Sequence, residues 1–228
     1  MHHDPYSEIY RKNRAAGLPG WHEPEFYPAR VGRALAFLAR LGAQVGDKVL
    51  ILGCGAGNTA IDLARKGFEV SGVDVAWDAI AWARDSAASA GVAVEFRVGD
   101  VKDLSFAPGS RFDFALDDYC LQHILGASRR ACFAGVRRIL RPGGGFHAGA
   151  DRMVDDVVAV SETCYFEPTT QCLYRDFEPY SYLTREGELT RELECAGFLV
   201  VRTEHHSRGS AYQPYVAGRD WIDAINPG

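Results

Sequence analysis

Along the chain, the pattern of apolar and polar positions changes period several times. Residues 1–28 are polar and aromatic, with Tyr6, Tyr10, Trp21, Phe26 and Tyr27 set among four prolines, and do not read as a core strand. Over residues 29–41, Val31, Leu35, Leu38 and Leu41 share one face at helical spacing, which predicts an amphipathic helix stopped by Gly42. The run Lys48-Val49-Leu50-Ile51-Leu52, bounded by glycine, predicts a short strand buried on both faces. From there the periods alternate. Helix 58–66 ends in two basic residues and Gly67, strand 68–73 reaches Asp74, and helix 76–90 closes at Gly91. Strands follow at 92–98 and 112–116, then a helix at 128–140 capped by Ser128, and a strand at 146–150 after Pro142 and three glycines. This succession predicts an α/β doubly wound fold, a parallel sheet covered on both faces.

The alternation breaks after Asp151. Residues 152–183 carry no clean period but many aromatics, among them Tyr165, Phe166, Tyr174, Phe177, Tyr180 and Tyr182. Such a stretch is too long for a passive connection and is expected to form a lid. A helix at 184–196, a strand at 198–201 and a last strand near 212–217 complete the expectation.

Composition narrows the class. The chain has 228 residues, a net charge of −5, 47% hydrophobic and 24% charged residues, which suits one globular domain. The acidic balance argues against a nucleic-acid partner. No apolar run is long enough to span a membrane, and the first residues lack the features of a secretory leader, so a cytoplasmic location is expected. Six dispersed cysteines without a CxxC pair are expected to be reduced and mostly buried. Arg129, Arg130, Arg137, Arg138 and Arg141 are expected on a solvated helix face. His205-His206, taken to lie on the last strand, would alternate faces and gives no support for a metal.

The candidate chemistry begins at Gly53-Cys54-Gly55-Ala56-Gly57, between a predicted strand and helix. Glycines there let the backbone turn sharply and approach a ligand. Asp74 lies 21 residues after Gly53, at the next strand's end, where a carboxylate can accept from both hydroxyls of a ribose. Together these predict a nucleoside site. Asn58 stands where the dinucleotide fingerprint requires its third glycine, and no phosphate-loop lysine follows.

The whole segment 45–150 resembles the class I S-adenosylmethionine-dependent methyltransferases, small-molecule branch. Residues 49–57 are similar to that family's first motif, Val70-Ser71-Gly72-Val73-Asp74 to its ribose-binding strand end, Gly99-Asp100-Val101 to its adenine-side turn, Phe112-Asp113-Phe114-Ala115-Leu116-Asp117 to its fourth-strand motif, and Arg138-Ile139-Leu140-Arg141-Pro142-Gly143-Gly144 to the turn before strand five. The resemblance implies a Rossmann-like, mostly parallel seven-stranded sheet, with residues 1–41 as a cap, 42–151 as the cofactor-binding core, 152–183 as a lid insertion and 184–228 as a C-terminal helix and strands. It implies S-adenosylmethionine as cofactor and a small-molecule acceptor. It also implies cofactor contacts from Trp21, Gly53, Cys54, Gly55, Gly57, Asn58, Asp74, Val75, Asp100, Val101 and Asp117. One departure is Ile51, where the family commonly has an acidic residue that orders the loop and the methionine ammonium. Asp117 or loop carbonyls would then take that contact.

Methyl transfer needs an in-line lone pair and exclusion of water, and a base only if the nucleophile loses a proton. Candidates cluster after the fourth strand, facing the ligand crevice. His123 and Asp118 are the candidate catalytic residues, although a satisfied helix histidine fits His123 equally. Tyr119, His147, Asp151, Arg152 and Tyr174 are the candidate acceptor contacts, with packing as the competing role. Cys120 reads as buried filler, since direct transfer needs no covalent intermediate. Trp21 either attracts the sulfonium through its ring face or packs the cap. The quartet typical of base-amine methylation is absent. Two rivals are a cofactor-binding module without catalysis and a nicotinamide oxidoreductase, the latter lacking both the third glycine and a Tyr-x-x-x-Lys pair.

Overall fold

The computed structural model describes residues 5–153, 163–207 and 216–228. The elements run α1 (Pro5–Ala15), α2 (Tyr27–Arg40), β1 (Lys48–Leu52), α3 (Asn58–Arg65), β2 (Glu69–Asp74), α4 (Trp77–Ala90), β3 (Glu95–Val98), β4 (Phe112–Asp117), α5 (Ser128–Ile139), β5 (Leu140–Met153), β6 (Cys164–Glu167), β7 (Cys172–Arg175), β8 (Glu178–Tyr182), α6 (Glu188–Cys195), β9 (Leu199–Ser207) and β10 (Val216–Ile225). Seven strands form one sheet in the order β3-β2-β1-β4-β5-β10-β9. β1 to β5 pair in parallel, and β10 runs antiparallel to both of its neighbours.

Side-chain alternation along β1 divides the core. Val49 and Ile51 pack with Phe37 and Leu38 of α2 and Ile61 and Leu63 of α3, while Leu50 and Leu52 pack with Phe133 and Val136 of α5 and Leu189 and Leu193 of α6. Burial on both faces explains why β1 is apolar throughout. The strands converge on one end, where the order reverses between β1 and β4 and a doubly wound sheet opens its ligand crevice.

Four expectations are corrected. The last strand is Val216–Ile225 rather than 212–217, of which 212–215 lie outside the described residues. Its Arg219, Asp220 and Asp223 are buried in an interior strand because each has a polar or charged partner on another element, so hydropathy could not mark it. Residues 152–183, in which no clean period was read, contain β6, β7 and β8, which form a separate three-stranded antiparallel sheet. Helix α6 starts at Glu188, after Gly187 in a left-handed conformation (φ 67°), because Thr184 is engaged by the end of β5. His205 and His206 belong to β9, where His205 Nδ1 meets Asp220 at 2.7 Å and His206 meets Glu204 at 3.6 Å.

The arginine face also differs. Arg129 is 2% exposed, with Nε and Nη2 on Glu192 at 2.7 Å each and Nη1 on the Leu121 carbonyl at 2.7 Å. It fastens α5 to α6 and to the turn after β4. Arg138 donates to the carbonyls of Leu104 and Ala107 at 2.7 and 2.8 Å.

Gly149 of β5 lets Trp221 of β10 lie flat against the sheet. A Cβ there would stand 2.5 Å from the indole and 2.9 Å from Arg219 Nε. Gly149→Val is therefore expected to lower stability by about 1–3 kcal/mol through overpacking, read as a drop of several degrees in Tm.

Candidate active site

The turn after β1 is shaped by three left-handed glycines, Gly53 (φ 67°), Gly55 (φ 53°) and Gly57 (φ 84°), the last of which begins α3. Asp74, at the end of β2, accepts from the Gly55 and Ala76 backbone N–H groups at 2.9 Å each. One carboxylate thus holds together the two loops that flank the crevice. Around it the surface is apolar, with Val75, Trp77 and Val98 exposed by 49%, 64% and 40%. Cys54 is buried below, its sulfur against Gly72, and burial pushes its thiol well above the ordinary value, so it offers only backbone.

The cap closes over this turn. Tyr10 of α1 is buried with its hydroxyl 2.5 Å from where a Gly55 Cβ would stand, and packs against Trp21 (5.3 Å) and Trp82 (6.5 Å). Asn13 donates to the Gly20 and Trp21 carbonyls at 3.1 Å, and Asn58 donates to the Pro19 carbonyl at 3.1 Å.

Past β4 lies a dense polar cluster. Asp117 accepts from the Cys120 and Leu121 N–H groups at 2.8 and 2.9 Å and pairs with Arg219 Nη2 at 3.1 Å. Burial pushes its carboxyl upward, against the pull of Arg219 and the two amides. Arg219 also reaches Asp151 at 3.1 Å and donates to the Gln122 side-chain oxygen. Tyr119 takes a left-handed backbone (φ 64°) and is flanked by the guanidinium groups of Arg30 and Arg219, each 4.1 Å from its ring centre.

His123 sits where α1, the small sheet and the polar cluster meet. Its Nδ1 lies 2.8 Å from the Tyr180 carbonyl of β8, its ring edges against Tyr6 of α1 (5.6 Å), and its Nε2 lies 3.5 Å from the Gln122 amide nitrogen. A carbonyl only accepts, so Nδ1 carries the proton and Nε2 presents a lone pair. Burial lowers the imidazole below its ordinary value despite the opposing Tyr180 carbonyl, so the ring is neutral at neutral pH.

These features have counterparts among known proteins. Residues 49–144 match the sequence pattern of a family described as a methyltransferase domain. The chain is 28% identical to an uncharacterized methyltransferase of Synechocystis sp., over 76% of each protein. It is 31% identical to a ubiquinone biosynthesis O-methyltransferase of Sinorhizobium fredii, over 68% of this chain and 61% of that one. Over residues 49–144 the chain is thus similar to methyltransferase domains. Its fold is that of a solved 1,6-didemethyltoxoflavin N1-methyltransferase of Burkholderia thailandensis, with a TM-score of 0.67 at 22% identity, over 97% of this chain and 85% of that one. The likeness implies S-adenosylmethionine as cofactor. Among the described residues no helix is long and apolar enough to cross a membrane.

The residues present fit that cofactor. Side chains at Gly53, Gly55 and Gly57 would strike Cys120, Tyr10 and Phe96, so the turn keeps bare backbone, Asp74 holds a buried carboxylate beside it, and Val75, Trp77 and Val98 give an apolar surface suited to a base. Asp100 is well exposed at the adjoining turn, salt-bridged to Lys102 at 3.1 Å, whereas Val101 is buried and offers only its backbone.

Several of the expected site residues are engaged by other parts of the chain. The Asn58 amide holds the cap loop through Pro19 rather than standing free for cofactor. Trp21 is part of the cap's aromatic packing, between Tyr6 (6.1 Å) and Tyr10. Asp118 does not stand as a free base. Its oxygens meet Thr59 Oγ1 at 2.9 Å and Arg30 at 3.4 Å, because the turn after β4 directs it toward α2 and α3. Arg152 points to β9, 3.0 Å from His205 Nε2, with Glu186 at 3.8 Å. Tyr174 stacks on Tyr165 at 5.0 Å within the small sheet. By contrast, Asp117, Tyr119, His123 and Asp151 come together around Arg219, and His147 lies beside Trp221 on the same side of the sheet.

Missed from sequence were Arg219, Trp221 and Asp223 of β10, Arg30 and Arg33 of α2, and Gln122. The available signal was Arg219, Trp221 and Asp223 at period two, large or charged side chains on one face of a strand.

Proposed function

We propose that this chain is an S-adenosylmethionine-dependent methyltransferase that acts on a hydroxyl oxygen of a small acceptor, in a reducing, cytoplasmic setting, with His123 as the group that accepts the proton. The observation that carries this reading is the 2.8 Å hydrogen bond between His123 Nδ1 and the Tyr180 carbonyl. A carbonyl only accepts, so the proton sits on Nδ1, burial disfavours a second one, and Nε2, 3.5 Å from the Gln122 amide nitrogen, is left as the basic nitrogen. A hydroxyl loses its proton as it attacks, so it requires such an acceptor. The six free cysteines agree with a reducing compartment.

When bound, S-adenosylmethionine supplies an electrophilic methyl on a sulfonium. Asp74 and the glycine turn would hold its nucleoside, with Val75 and Trp77 beside the base. Tyr10, Trp21 and Tyr6 exclude water from above, and Tyr119, held between Arg30 and Arg219, presents an aromatic edge to an acceptor.

The test is incubation with S-adenosylmethionine and a panel of phenols, aliphatic alcohols, amines and thiols, following S-adenosylhomocysteine release. Turnover with hydroxyl acceptors is expected. Cofactor binding without turnover of any of them would overturn the reading in favour of a non-catalytic cofactor-binding module. In the same preparation Asp74→Ala is expected to weaken S-adenosylhomocysteine binding at least about tenfold by calorimetry, since it removes both the hydroxyl acceptor and the clamp on Gly55.

A further inference from the structure

Below the polar cluster, a second histidine is held in a way that the proposed reaction does not use. His147 of β5 is 3% exposed, with its ring stacked flat on Trp221 (4.9 Å, interplanar angle 0°) and against Phe37 of α2 (5.1 Å). Its Nδ1 lies 2.7 Å from Asp223, and Asp223 in turn accepts from Arg40 at 2.9 and 2.7 Å. Burial acts against the charge of Asp223, but His147 and Arg40 outweigh it and hold the carboxyl below its ordinary value. Nδ1 therefore donates to a carboxylate, and the other nitrogen is committed to face elsewhere.

That nitrogen, Nε2, is buried and has no hydrogen-bond partner. Buried polar atoms are almost always satisfied, so an orphan on so firmly clamped a ring marks a site for something else. His147 lines a cavity of about 20 Å³ with Arg33, Thr59, Asp118 and Tyr119. Arg33 lies over Trp221 at 4.3 Å, and its Nε is likewise buried and unpartnered. Among the described residues the Arg33 guanidinium has no carboxylate partner.

We propose that this cavity is a subsite that takes one hydroxyl group of the acceptor, separate from the hydroxyl served by His123. Arg33 Nε–H requires an acceptor atom, and His147 Nε2, on the far side of the ring from the Nδ1–Asp223 bond, requires a partner of its own. A hydroxyl is the smallest group that can serve both, since it donates as well as accepts. A space of about 20 Å³ admits a single oxygen and is too small for a carboxylate or phosphate. The position, beside Tyr119 and the turn after β4, puts the subsite at the floor of the crevice. Orphan groups left unpaired by an analogue without the hydroxyl give strong discrimination, which makes this a specificity device.

The proposal rests on the acceptor-site reading above, and the experiment separates the two. Calorimetry with S-adenosylhomocysteine on the intact chain comes first, and absence of heat would overturn the methyltransferase-site reading while leaving the cavity to be tested. Phenol and cyclohexanol are then titrated against benzene while the imidazole nitrogens of His147 are followed by nitrogen-15 NMR. The hydroxylic probes are expected to move the Nε2 resonance, and benzene to leave it in place. Arg33→Met, on the partly exposed side of α2, is expected to weaken phenol binding about tenfold with Tm held. His147→Phe is expected to abolish the discrimination between phenol and benzene. It can disturb the sheet, so the Arg33 variant stands as the independent test. An unmoved Nε2 resonance with both hydroxylic probes, or equal affinity for phenol and benzene, would overturn the proposal and leave a structural water as the sole occupant.

Discussion

Arg219→Leu is expected to destabilise the protein by about 3–5 kcal/mol, a large part of the ~5–15 kcal/mol that holds a typical domain folded. Arg219 is 1% exposed and pairs with Asp117 and Asp151, both buried. Leucine fills space but leaves two carboxylates in a low-dielectric interior without a counter-charge. The midpoint of urea unfolding should fall accordingly, with the slope unchanged. The loss should also depend on pH. Burial already raises the Asp117 carboxyl, and without Arg219 it rises further. Between the unfolded carboxyl value and that raised one, the folded chain binds more protons than the unfolded chain, so stability falls as pH rises. The variant should therefore recover stability on mild acidification. A deficit that stays constant from neutral to mildly acid pH would show that the two carboxylates are not what the arginine compensates.

His123→Asn is expected to lower kcat by about 10²- to 10⁴-fold, the usual worth of a positioned general base, while S-adenosylhomocysteine affinity stays near that of the wild type. The asparagine can still donate to the Tyr180 carbonyl, so the junction of cap and lid is kept. Burial holds the wild-type imidazole below its ordinary value. The neutral ring is the active form, so the rate should hold its plateau through neutral pH and fall only on the acid side, once pH drops through that lowered value. The variant should lack this acid limb. A wild-type profile that instead breaks above the ordinary imidazole range, or a variant with unimpaired kcat, would remove His123 from the chemistry.

What could be foreseen from the residues follows how local the determining interactions are. β1, the glycine turn, α3 and Asp74 lie within 27 residues, and their partners are mostly one another, so composition and spacing suffice. β10 is the opposite case. Arg219, Asp220 and Asp223 look like surface residues until Asp117, His205 and His147 are placed opposite them by folding. Arg129 misled for the same reason, because its partner Glu192 lies 63 residues away. In the lid, β6 to β8 are only four or five residues long, and their aromatics, such as the stacked Tyr165 and Tyr174, mark a sheet only once paired. Asp118 was read as a candidate base after β4, but its contacts with Thr59 and Arg30 depend on how the turn after β4 leans.

The insertion of β10 between β5 and β9 has a bearing on biosynthesis. The ribosome delivers β1 to β5 first, and with them Asp117, His123 and His147, while residues 216–225 are still within or behind the exit tunnel. Until that segment emerges and slots between two strands already made, the edge of β5 is open and Asp117 and Asp151 have no arginine. The crevice is therefore finished by a segment translated after all nine other strands, and a polypeptide released before residue 219 would retain its glycine turn and Asp74 without Arg219 beneath the crevice.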